Sequence, residues 1–72
     1  MNDRDKRMYR LLSLRKHFDE LHRECTEELS KMLRDVNCYD FQGMLVLWEL
    51  INTYDEKMND IKHHLESLVK TY

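Results

Sequence analysis

One unbroken heptad stripe limits what this chain can fold into. Met44, Leu47, Ile51, Tyr54, Met58, Ile61, Leu65, Leu68 and Tyr72 follow one another in alternating steps of three and four, and all nine are apolar or aromatic. In a chain that is 42% hydrophobic, odds of roughly 1 in 350 attach to such a run once seven registers are allowed. The f positions of the same register are Glu49, Glu56, His63 and Lys70, all polar. This is the pattern of a helix that buries one face against another helix.

Composition points the same way. There is no proline, one glycine (Gly43) and 36% charged residues. That removes the usual punctuation of strands and turns and places the chain among long helices and coiled coils. A length of 72 residues allows one domain at most, and a marginal one. No run approaches the ~20 apolar residues of a membrane span. The charged stretch from Met1 to Arg10 offers no signal-peptide core. The expectation is a cytoplasmic or nuclear protein, without membrane association, whose Cys25 and Cys38 stay reduced.

Residues from about 5 to 36 read as a first helix. Leu11, Leu14, Phe18, Leu21, Cys25 and Met32 keep one a/d register, broken only by Glu28. Leu29, Leu33 and Val36 extend the stripe as it drifts around a straight helix. Residues from about 41 to 72 form the second helix. Met32 and Met44 are both a positions, yet twelve residues apart, so the two registers do not join. Between them, Asn37 suits a left-handed helix terminator and Asp40 an N-cap. Tyr39 and Met44 then take the positions of a hydrophobic staple. The expected fold is all-α: an antiparallel helical hairpin, turning at 37–40, that self-associates into a four-helix bundle or coiled coil. The alternative is one continuous helix in a dimeric coiled coil.

The stretch from Met44 to Ile51 exceeds the needs of a hairpin. Leu45, Val46, Trp48 and Leu50 lie off the a/d line, and a two-helix unit leaves several of them in water. An apolar patch rimmed by charge marks an association surface. Charge is also uneven. Arg4, Lys6, Arg7, Arg10, Arg15 and Lys16 stand against Asp3 and Asp5 in the first 16 residues, a local +4, while the remaining six basic and twelve acidic residues give −6. This asymmetry can orient neighbouring helices or mark a contact surface.

Little else suggests chemistry. Asp19-x-x-His22 and Asp60-x-x-His63 echo the carboxylate-x-x-His pairs of di-metal bundles, but Asp60 and His63 fall on the solvent face and Asp19 off the stripe. His22 and Cys25 lack two further ligands for zinc. His64, at a g position, flanks the core and brings mild pH sensitivity. One glycine cannot build a phosphate loop, and no nucleophile, base and orienter come together. No catalytic, cofactor or metal site is expected. The function expected is oligomerisation or scaffolding, with the chain itself as partner in a homodimer. An adaptor whose 44–51 surface receives another protein's helix is the second reading. A nucleic-acid binder using the N-terminal basic cluster is the third.

Overall fold

A computed structural model describes residues 2–70 of the chain, and Tyr72 of the heptad stripe lies outside them. The fold is two helices, α1 (Asp3–Arg34) and α2 (Phe41–Lys70), folded back on each other as an antiparallel hairpin. At 1.5 Å per residue the helices run about 48 and 45 Å, and the molecule measures 55 × 17 × 14 Å. A continuous helix of this chain would reach about 105 Å, so the alternative is excluded.

Each helix begins where a short polar side chain can meet its free amides. Asn2 accepts from the Asp5 amide at 2.8 Å, a cap not anticipated from the sequence, and α1 therefore starts earlier than residue 5. Asp3 and Asp5 sit in the first turn, and Lys31 and Arg34 in the last, each sign matched to the helix dipole. At the start of α2, the Asp40 carboxylate accepts from the Gly43 amide at 2.9 Å, and its carbonyl from the Met44 amide at 3.1 Å. A Cβ at Gly43 would collide with that carboxylate, so glycine here leaves the cap room to close.

The end of α1 differs from expectation. No non-glycine residue among those described has a positive φ, so Asn37 does not end the helix in a left-handed conformation. Asp35 ends it instead. Its backbone is extended, its carboxylate accepts from the Asn37 amide at 3.0 Å, and its carbonyl accepts from the Cys38 amide at 3.0 Å. An aspartate that bonds to the backbone two residues on competes directly with the helix. Val36 thus falls in the connection and is 84% exposed, and Leu33 is exposed at the last turn. Neither extends the buried stripe. Tyr39 is also exposed, its ring set edge-on to Phe41 at 6.4 Å rather than stapled onto Met44.

The seam follows the α2 stripe throughout the described residues. Met44, Leu47, Ile51, Tyr54, Met58, Leu65 and Leu68 are half-buried, and Ile61 is buried, at 5% exposure. On α1 the a positions Leu11, Phe18, Cys25 and Met32 face inward as expected, and Leu21 joins them. The other edge of the α1 stripe runs one residue later than the a/d reading. Met8, His22 and Leu29 are half-buried, whereas Leu14 is 45% exposed and Glu28 is exposed. Glu28 cannot be buried unpaired, and Leu29 beside it can. The Phe18 and Tyr54 rings meet at 5.9 Å across the seam.

The Asp40 cap generates a direct test. Asp40→Ala should lower stability by about 1 kcal/mol, while Asp40→Asn should lose much less. The midpoint of urea unfolding followed by circular dichroism reads both.

Candidate functional site

No group of three or more His, Cys, Asp or Glu side chains among the described residues is placed to hold a metal ion. Cys25 and Cys38 are half-buried free thiols. Asp19 pairs with Arg23 on its own helix at 3.5 Å, and His63 lies 3.9 Å from Glu66. Asp60 is exposed and so is His64, which does not flank the seam as its g position suggested. The two carboxylate-x-x-His pairs therefore do not converge.

His22 is the exception that the sequence did not reveal. Its Nε2 lies 3.0 Å from Oδ1 of Asp55 on the opposite helix. Around this contact Arg15, Asp19, Met58, Asn59 and Lys62 line a shallow depression. Both partners are e positions, where antiparallel helices meet beside the seam. The pairing needs the inter-helix register, which neither helix's pattern contains alone. The contact is open to water, with the Asp55 side chain 59% exposed, so it serves as a polar marker of register more than as a source of stability.

The basic cluster does not form one face. Lys6, Arg7, Arg10, Arg15 and Lys16 are exposed, while Arg4 is half-buried beside Asp5 at 3.5 Å. At 100° per residue these six positions go round the whole circumference of α1. A groove-reading surface requires them on one side.

The apolar surface is concentrated instead. Leu33, Val36, Tyr39, Phe41, Leu45, Val46 and Trp48 are all exposed around the turn end, with Trp48 at 56%. Leu50 is half-buried. Phe41, Leu45 and Trp48 are spaced four and three apart, one flank of α2. Trp48 lies two turns before Asp55 and Leu33 three turns after His22, so the His22–Asp55 contact marks the face on which this patch sits. Leu14, Leu21 and Leu50 lie towards the other face. Tyr9, Leu12 and Val69 are exposed at the far end.

No described helix is long and apolar enough to cross a membrane. No family model matches the chain, and no curated protein and no solved structure matches it.

A double-mutant cycle on His22→Ala and Asp55→Ala should give a coupling of a few tenths to about 1 kcal/mol. A coupling of zero would show that the two helices register without this contact.

Proposed function

We propose that this chain is a non-enzymatic oligomerisation and scaffolding module that acts through helix–helix contacts, with a second copy of itself as the first partner. One quantity carries the reading. The hairpin exposes 5920 Å². A compact monomer of 9.0 kDa exposes about 4,900 Å². The excess is roughly 1,000 Å², close to what one partner gives up in an ordinary protein–protein interface, about 800 Å².

The kind of surface left open supports the same reading. One residue, Ile61, is buried in the described chain, while eleven large apolar side chains are exposed. Burial of apolar area stabilises by about 25 cal/mol per Å², and a seam half-open to water supplies little against the entropy of ordering some 70 residues. Covering the turn-end patch with further helices closes that deficit. The shallow depressions, lined mostly by charged side chains, offer no enclosed apolar pocket of the kind that positions a small substrate.

A second reading follows from the position of the patch. It lies at one end of the rod and wraps both Leu45 and Val46 on different sides of α2. A helix of another protein fits there as well as a second hairpin does. Trp48 distinguishes the two, because self-association buries it without any other protein present.

At micromolar concentration the chain should have at least twice its 9.0 kDa mass by sedimentation equilibrium. Trp48 emission should be blue-shifted in that state and move to the red on dilution. Trp48→Ala should weaken association by about 2 kcal/mol or more, as aromatic interface anchors do, and Tyr39→Ala by less. Ile51→Asp, which puts a charge into the seam, should dissociate or unfold the assembly. A folded monomer whose mass does not change with concentration would overturn the proposal. A red, readily quenched emission in an oligomer would pass the Trp48 patch to the adaptor reading.

A further inference from the structure

The flank of α1 turned away from the His22–Asp55 contact carries a second, largely exposed stripe. Arg7, Arg10, Leu14, His17, Leu21, Glu24 and Glu28 follow one another in steps of three and four, the spacing of a helix-pairing face. The four charged members and His17 are exposed, Leu14 is 45% exposed and Leu21 half-buried. The order along the stripe is basic, apolar, histidine, apolar, acidic.

We infer that this stripe is a self-complementary surface that pairs α1 with α1 of a second copy, antiparallel, about a two-fold axis near His17. The inference rests on the self-association proposed above and adds to it a contact separate from the Trp48 patch, with its own orientation and residues. Arg7 and Arg10 lie ten and seven residues before His17, and Glu24 and Glu28 seven and eleven after it. Leu14 and Leu21 lie three before and four after. Antiparallel pairing therefore sets Arg7 opposite Glu28 of the second copy, Arg10 opposite Glu24, and Leu14 opposite Leu21. The two-fold repeats each pairing, giving four ion pairs around two leucine layers. Parallel pairing would set arginine on arginine and glutamate on glutamate, and like charges placed opposite each other are destabilising. The pattern thus selects one orientation.

An isologous contact of this kind is what two-fold dimers use. Two hairpins joined this way form a four-helix bundle with their turns at opposite ends. The seam and the Trp48 patch occupy opposite faces, so one contact leaves the other available. A chain that uses both assembles beyond a pair.

Two variants test the seam. Arg7→Glu with Arg10→Glu makes the stripe wholly acidic, and Glu24→Arg with Glu28→Arg makes it wholly basic. All four sites are exposed, and circular dichroism verifies that both variants remain helical. At low salt, in a Trp48→Ala background that removes the other contact, each alone should dimerise with a Kd raised roughly a hundredfold, from four lost ion pairs and the repulsion that replaces them. Mixed in equal amounts, the acidic and basic variants should form a heterodimer of wild-type affinity. The chain with all four substitutions should recover homodimerisation. Variants that self-associate as tightly as the wild type, or a mixture that forms no heterodimer, would overturn the seam. An oligomeric wild type with insensitive variants removes the seam and leaves the proposed function standing. A monomeric wild type removes both.

Discussion

Everything in this structure depends on the burial of the α2 stripe against α1. The two helices share one line of contact, from Met44 to Leu68 on one side and from Met8 to Met32 on the other. A two-layer packing can fully enclose a side chain only where both neighbours above and below are also large. Ile61 alone comes near that state among the described residues, at 5% exposure. The others are covered on one side and wet on the other. A thin seam fixes the direction of the helices well and protects them poorly, and the exposed apolar side chains around the turn follow from the same geometry.

How far the fold could be read from residues varies with the element. The α2 stripe was fully legible because every a and d position is apolar and every f position polar, which leaves one possible inward face. For α1 two seams fit the same a positions. One passes through Leu14 and Glu28, the other through His22 and Leu29. A single charged residue, Glu28, decides between them: it interrupts the first seam and leaves the second whole. In the connection Asp40 was legible because a cap is a local interaction with amides three and four residues on. The helix stop was not, since Asp35 and Asn37 both terminate helices and the choice depends on which one first captures a backbone amide.

The candidate surfaces divide in the same way. That Leu45, Val46 and Trp48 stand in water follows from counting positions on one helix. The His22–Asp55 contact does not, because it joins two helices whose relative height is set by the whole seam. The basic residues show the opposite failure. Counted along the sequence they form a cluster, but wrapped on a helix they separate, and only Lys6, Arg7 and Arg10 remain together, beside Asp3. The partners of Arg7 and Arg10 in pattern, Glu24 and Glu28, are four to six turns away along the same helix.

The six-residue connection from Asp35 to Asp40 also orders the molecule in time. The entropy of closing a chain segment rises with its length, so the contacts nearest the turn are the least costly to make first. Met32 and Met44 are joined by a short span, and each later layer towards Met8 and Leu68 closes on one already formed. Closure outwards from the turn is therefore the entropically cheaper order for this hairpin. The exposed patch around Trp48 sits at the end where that closure costs least.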